Sequence, residues 1–162
     1  MTSGGSDRST APQVRRRLVW GVGVAAYVVT LFERYSLGVA SLQARDRFGV
    51  GASVLAGFVV LQFVIYAALQ VPVGVVLDRY GPKRLIVLGL VLLTAAQAAF
   101  AFAARADAAV ASRVVLGAGD ALIFISVIRL VASWFPPRRN PFIVQVTGVL
   151  GQLGAVGAAT PL

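Results

Sequence analysis

The sequence predicts an all-α membrane protein with five transmembrane helices and its N-terminus in the cytoplasm. Hydrophobic residues make up 58% of the 162 residues and charged residues only 13%, against about 45–50% and about 25% in soluble domains. The apolar residues fall into five runs of roughly 20, the length that crosses about 30 Å of hydrocarbon. A soluble core would not repeat such runs five times, so a bilayer is the expected solvent.

The net charge of +9 is explained by the positions of the basic residues. The polar segments between the apolar runs alternate between the two sides of the membrane. Together with the N-terminal tail, one side carries nine basic residues and the other three, which predicts the cytoplasmic N-terminus. No continuous basic face or aromatic platform accompanies the charge, so we expect no nucleic-acid partner. The cytoplasmic set is Arg8, Arg15, Arg16, Arg17, Arg79, Lys83, Arg84, Arg138 and Arg139, and the external set is Arg45, Arg47 and Arg105.

The chain divides into a short tail and a membrane region. Residues 1–17 are polar and rich in Gly and Ser, which predicts a disordered basic cytoplasmic tail, and residues 18–162 form the transmembrane region. A signal peptide is the alternative for the first apolar run, but that run is too long and four more follow it. We expect the helices at about 18–40, 53–77, 85–104, 109–132 and 142–162.

A polar stretch between the second and third runs reads Gly-Val-Val-Leu-Asp-Arg-Tyr-Gly-Pro-Lys-Arg. We interpret it as a tight cytoplasmic hinge. Gly74 leaves room for a neighbouring helix, Asp78 ends the second helix at the water boundary, and Gly81 supplies the turn. Lys83 and Arg84 then fix the start of the third helix on the cytoplasmic side.

This hinge resembles the loop motif of the major facilitator superfamily, approximately Gly-x-x-x-Asp-Arg-x-Gly-Arg-Lys. Pro82 departs from the motif, since a basic residue is usual there. Residues 66–74 look like the second helix of the family, and residues 113–119 look like its fourth-helix motif. The matching hinge positions are Gly74, Asp78, Arg79, Gly81 and Lys83.

The resemblance implies the first five helices of an N-terminal half-bundle and secondary active transport of a small solute by alternating access. It implies that Asp78, supported by Arg79 and Lys83, meets a helix of the other half and controls switching. It also gives Arg113 a role in proton coupling. The antiporter motif needs a Gly-Pro pair that the fifth run lacks, so antiport is unsupported.

Five charges fall inside the predicted spans, where such residues usually face a bundle interior or a cavity. Arg34 lies seven positions after Tyr27 and shares its face, so both are candidate substrate-binding residues lining a central cavity. In the family, an arginine in this part of helix 1 often binds an anionic solute, and Arg34 looks similar. The alternative is a structural pair with another helix. The five charges are Glu33, Arg34, Arg113, Asp120 and Arg129.

The candidate proton-coupling residues are Glu33, Arg113 and Asp120. The chain has no histidine, so a proton carrier within it must be a carboxylate. Asp120 shares a helix face with Arg113, and it could couple to protons or act as a salt-bridge partner, the interpretation that we slightly favour. Arg129 lies near the cytoplasmic end and receives no role. In the fifth run, small residues predict close helix packing around Gly148, Gly151, Gly154 and Gly157.

These features favour a multi-pass inner (plasma) membrane transporter over an enzyme. We see no nucleophile–base pair or metal-ligand cluster, and expect no cofactor and no metal. The expected partners are the lipid bilayer and a small solute, with an anion as the candidate solute class and protons as the candidate coupling ion. Because the family has twelve helices, we expect a fragment that is inactive alone and lacks its C-terminal half. The alternative is a short membrane subunit, structural or regulatory, that pairs with a separately encoded complementary membrane chain.

Overall fold

The computed structural model describes residues 10–39, 49 and 51–159. This part of the chain forms five α-helices and contains no strand, which confirms the predicted fold class. All five are long and apolar enough to cross a membrane. Their bounds are α1 Thr10–Val39, α2 Ala52–Tyr80, α3 Pro82–Phe102, α4 Ala106–Trp134 and α5 Asn140–Ala159.

Helix α4 is the centre of the bundle and contacts each of the other four helices. Glycines allow its neighbours to approach at backbone distance, as is common between membrane helices. A Cβ added at Gly117 would lie 2.7 Å from the main-chain oxygen of Gln62 in α2. A Cβ added at Gly89 of α3 would lie 2.9 Å from the oxygen of Gly119. Residues of α4 therefore face every other helix of the described bundle.

Helices α1 and α5 pack closely through two of the four glycines singled out in the sequence. A Cβ on Gly154 would overlap the main-chain oxygen of Val28, and one on Gly151 would overlap the ring of Tyr27. This confirms the predicted close packing at these two positions. Residues three apart differ by about 60° around a helix, so the four glycines cannot all face α1. The two whose added Cβ would make no tight contact with described residues are Gly148 and Gly157.

The hinge between α2 and α3 turns at Gly81, whose φ of 77° favours glycine as predicted. Pro82 is the first residue of α3, a position that suits proline because its missing N–H would have no partner there. Two other features of the hinge differ from the expectation within the described bundle. Helix α2 continues past Asp78 to Tyr80. No described atom lies within 4 Å of a Cβ placed on Gly74, so no helix of the described bundle packs closely there.

The start of α1 also differs from the expectation. Residues 10–17, predicted as tail, are helical. The guanidinium groups of Arg15 and Arg16 lie over the rings of Trp134 and Phe135, so the start of α1 contacts the end of α4. Residues 1–9, 40–48, 50 and 160–162, which include most of the loop predicted to be external, lie outside the described part of the chain. The other described helix ends fall within three residues of the expected positions; α2, for example, ends at Tyr80 instead of 77.

Candidate solute site and charged groups in the bundle

Arg34 of α1 and Asp120 of α4 form a buried, two-point ion pair. Arg34 Nη2 donates to Asp120 Oδ1 at 2.6 Å, and Arg34 Nε donates to Asp120 Oδ2 at 2.8 Å. The side chain of Asp120 is 1% exposed and that of Arg34 is 11% exposed. The fork of the guanidinium matches the two carboxylate oxygens, the geometry that makes arginine–carboxylate pairs strong. The pair therefore links α1 to the central helix.

Two aromatic rings of α2 surround the guanidinium of Arg34. Its Cζ lies 4.8 Å from the ring centroid of Tyr66 and 5.4 Å from that of Phe63. The Tyr66 ring in turn lies 6.0 Å from the ring of Phe124 in α4. A cation over an aromatic face gains about 0.5–2 kcal/mol. The rings thus favour a charged guanidinium at this position even when its carboxylate partner changes.

The structure joins two residues for which the sequence left alternatives open. From the sequence, Arg34 is either an anion anchor or half of a structural pair, and Asp120 is either a coupling residue or a salt-bridge partner. Each is the other's partner. Because Asp120 takes two donors of Arg34, an anion that used the same two donors would have to displace the carboxylate.

Arg113 is a second buried cation of α4, with 1% of its surface exposed. Its Cζ lies 4.1 Å from the ring centroid of Phe100 in α3. Its Nε and Nη1 have no hydrogen-bond partner within the described part of the chain. The charges of Arg113 and Glu33 interact electrostatically, but none of the described ion pairs joins the two residues. Glu33 and Arg113 thus lie near each other with unused hydrogen-bonding capacity.

Glu33 faces a cavity of about 340 Å³ between α1 and α3. Thr94 and Gln97 of α3 are its other polar lining residues. Glu33 Oε2 and Gln97 Oε1 are buried and have no hydrogen-bond partner among the described residues. Since unpaired buried oxygens are costly, this cavity suits a proton, a water or a small polar group.

Tyr27 lies in a different cavity. A volume of about 190 Å³ between α1, α4 and α5 is lined by Tyr27 and by residues that include Phe124, Gln145 and Thr147. Arg34 is not among the residues that line this cavity. The expectation that Tyr27 and Arg34 line one cavity is therefore not met in the described structure. The Phe124 ring lies 5.6 Å from the ring of Tyr27 and 6.0 Å from the ring of Tyr66, which Arg34 contacts.

At the hinge, Asp78 of α2 pairs with Arg129 of α4. Arg129 Nη2 lies 3.0 Å from Asp78 Oδ1, and the two side chains are 59% and 67% exposed. No role for Arg129 follows from the sequence alone. The available signal was that Asp78 and Arg129 each lie near a helix end on the same predicted side of the membrane. Such an exposed pair contributes at most about 1 kcal/mol, so it can break and re-form easily.

The other charged residues of the hinge, Arg79, Lys83 and Arg84, are exposed. The guanidinium of Arg79 lies 5.5 Å from the ring centroid of Tyr80, and Lys83 and Arg84 form no ion pair with a described carboxylate. No cluster of three or more metal-ligating side chains exists among the described residues.

Comparison with known proteins identifies relatives along most of the chain. The sequence model of the Major Facilitator Superfamily matches residues 23–160. The "Probable sulfoacetate transporter SauU" of Cupriavidus necator is 30% identical over 147 residues, 90% of this chain and 34% of that protein. The "Probable actinorhodin transporter" of Streptomyces coelicolor is 30% identical over 94% of this chain and 26% of its own length.

A third relative is the "Probable L-galactonate transporter" of Escherichia coli K12. It is 28% identical over 68% of this chain and 24% of its own length. The chain thus spans between about a quarter and a third of the length of these relatives. With its five apolar helices, it is a multi-pass membrane protein.

Proposed function

Because the chain belongs to the major facilitator superfamily, we propose that its helices form part of a secondary active transporter for a small organic anion. The observation that carries the proposal is the two-point ion pair of Arg34 and Asp120. Two of the relatives named above carry an acid anion in their names, sulfoacetate and L-galactonate. The third is named for actinorhodin, so the chemistry of Arg34, and not the names, selects the solute class.

Arg34 binds the anion in this proposal. Its planar guanidinium presents two parallel donors that suit a carboxylate or a sulfonate. Tyr66 and Phe63 support the charge from α2, so the cation stays in place when its partner changes. A lysine at this position would supply the positive charge but not the two parallel donors.

Asp120 competes with the solute for Arg34. When Asp120 takes up a proton, it loses its charge and releases the guanidinium, which then accepts the solute anion. When the solute leaves, the buried arginine again needs a negative partner, which favours loss of the proton from Asp120. One proton then travels with one bound anion, as in a symporter.

Glu33 and Arg113 form the second proton-handling pair. Glu33 is positioned to alternate between charge interaction with Arg113 and a protonated state facing the cavity between α1 and α3. Arg113 remains charged and stacked on Phe100. Because Glu33 directly precedes Arg34 in α1, the proton site and the anion site move together with that helix.

The hinge controls switching in this proposal. Asp78 exchanges its weak partner Arg129 for a helix end outside the described residues, where the positive end of the helix dipole stabilises a carboxylate. Arg79 and Lys83 support this contact.

Uptake measurements on the native-locus product test the proposal; this is the protein that the native genomic locus expresses, together with any sequence or partner chain that completes the bundle. Cells receive labelled sulfoacetate, L-galactonate or a neutral sugar, and the wild type is compared with Arg34→Gln and Arg34→Lys. We expect uptake of at least one anion, lost in Arg34→Gln and reduced in Arg34→Lys. The control is Arg105→Gln, which removes an exposed cation and leaves uptake unchanged. Full anion uptake by Arg34→Gln would overturn the role of Arg34, and uptake of the neutral sugar alone would overturn the solute class.

A further inference from the structure

The end of the bundle where α1 begins carries arginines that rest on aromatic rings. Arg15 Cζ lies 5.5 Å from the ring centroid of Trp134, and Arg16 Cζ lies 5.0 Å from that of Phe135. These cation–π contacts hold two long side chains at defined positions beside the α4–α5 connection. Neither arginine forms an ion pair with a described carboxylate.

The rings are themselves held in place. Trp20 of α1 meets Phe135 edge to face at 6.4 Å, with an angle of 78° between the rings. Trp20 Nε1 donates to Thr147 Oγ1 of α5 at 3.0 Å, and the amide of Phe135 donates to Val131 O at 3.0 Å. The start of α1, the end of α4 and α5 therefore form one ordered support for the arginines.

The α4–α5 connection adds two more cations. Arg138 and Arg139 are exposed. They follow Trp134 and Phe135 in a turn, in which the Arg139 amide donates to Pro136 O at 2.9 Å. Asp78, the described acid of the hinge, is already paired with Arg129. The excess positive charge at this end is thus not neutralised within the described residues.

We propose that Arg15, Arg16, Arg138 and Arg139, with Trp134 and Phe135, bind the headgroup phosphate of an anionic phospholipid. We name this set the headgroup cluster. Arginine forks match phosphate oxygens, and tryptophan and arginine together favour the headgroup level of a bilayer. Membrane topology alone accounts for the number of basic residues at this end. It does not require the guanidiniums of Arg15 and Arg16 to lie over aromatic rings. The seating pre-orders the donors and lowers the entropy lost on lipid binding.

The chain supplies its own reporter for this lipid. Its two tryptophans, Trp20 and Trp134, both lie at the headgroup cluster. The chain is placed in nanodiscs of phosphatidylcholine that contain a small fraction of brominated phosphatidylglycerol, or the same fraction of brominated phosphatidylcholine. We expect phosphatidylglycerol to quench the tryptophan fluorescence preferentially. Equal quenching by the two brominated lipids in the wild type would overturn the proposal.

Two double variants that each remove two positive charges distinguish binding at the headgroup cluster from general electrostatic attraction between the protein and the anionic lipid. Arg15→Gln with Arg16→Gln removes the two ring-seated cations, and Arg17→Gln with Arg84→Gln removes two cations from the same end. Each cation near an anionic surface contributes roughly fivefold in affinity wherever it lies, so both pairs of substitutions lose this common part. We expect the first pair to lower the phosphatidylglycerol preference at least about fivefold more than the second, because it also removes the pre-ordered donors. Equal losses in the two pairs would overturn the proposal.

A third variant leaves the charge unchanged. Phe135→Leu removes the ring beneath Arg16 but retains both tryptophans and every arginine. We expect a measurable loss of phosphatidylglycerol preference, with a thermal midpoint within a few degrees of the wild type. Full preference in a folded Phe135→Leu protein would show that ring seating has no part in lipid binding, and would overturn the site as proposed.

Discussion

Arg34 binds both carboxylate oxygens of Asp120 across the interface between α1 and the central helix, at 2.6 and 2.8 Å. The two residues lie 86 positions apart in the sequence, so only the packing of α1 on α4 brings them together. A buried pair of this kind is expensive to break one partner at a time. The stability of the bundle therefore depends on both charges, and a group that displaces one partner must compensate the charge of the other.

The first prediction concerns the stability of this pair. Arg34→Gln and Asp120→Asn each leave one buried charge alone, so each should lower the free energy of unfolding by about 3–5 kcal/mol. The double variant should lose clearly less than the sum. Denaturant unfolding in detergent measures the cycle. The control is the exposed pair of Arg105 and Asp107, whose coupling should stay below about 1 kcal/mol. Additive losses for Arg34 and Asp120, within about 0.5 kcal/mol, would refute the coupling.

The second prediction concerns the packing of α1 against α5. Gly154→Val places a side chain against the main chain of Val28, and we expect a loss of about 1–3 kcal/mol from overpacking. Gly148→Val is the matched control, because no described atom lies within 4 Å of a Cβ there. Thermal unfolding followed by tryptophan fluorescence measures both. Similar midpoints for the two variants would contradict the described α1–α5 interface.

The third prediction concerns the hinge. Asp78→Asn removes the charge that pairs with Arg129 at the protein surface, so stability should change by less than about 1 kcal/mol. In the native-locus product, solute affinity should stay near the wild-type value while the transport rate falls. Equal loss of affinity and rate would argue against a switching role. Asp107→Asn, at the other exposed pair, provides the control.

The fourth prediction concerns orientation. The chain has no cysteine, so a single introduced cysteine reports without background. A membrane-impermeant maleimide added to intact cells should label Arg105→Cys and leave Arg139→Cys unlabelled until the cells are opened. This follows from the nine-to-three distribution of basic residues. If Arg139→Cys alone were labelled in intact cells, the topology would be the reverse of the predicted one.

Features set by local chemistry could be predicted from the sequence. The five helices follow from the length of the apolar runs, and Gly81 adopts the positive φ that its place between two helices suggests. The small residues of the fifth run predict close packing, which Gly151 and Gly154 make, but they do not say which two of the four glycines face α1. The neighbouring residues in the sequence therefore carry the information for the helices and the turn, and only part of it for the packing.

Features set by the rotation of one helix against another could not be predicted. Periodicity places Arg113 and Asp120 on one face of α4, but it does not say which helix that face meets. In the structure Asp120 meets Arg34, whereas Arg113 stacks on Phe100. Arg129 was missed for the same reason, since its partner Asp78 belongs to another helix. The start of α1 likewise contacts rings that are distant in the sequence, Trp134 and Phe135.

The central claim is that Asp120 and the solute anion compete for Arg34. The most direct test is the affinity of the purified native-locus product for its anion as a function of pH, in the wild type and in Asp120→Asn. Protonation of Asp120 frees Arg34, so wild-type affinity should rise as the pH falls, by at most tenfold per pH unit for one proton. Asp120→Asn should bind the anion with an affinity that depends much less on pH. The same pH dependence in Asp120→Asn as in the wild type, or wild-type affinity that weakens as the pH falls, would contradict the claim.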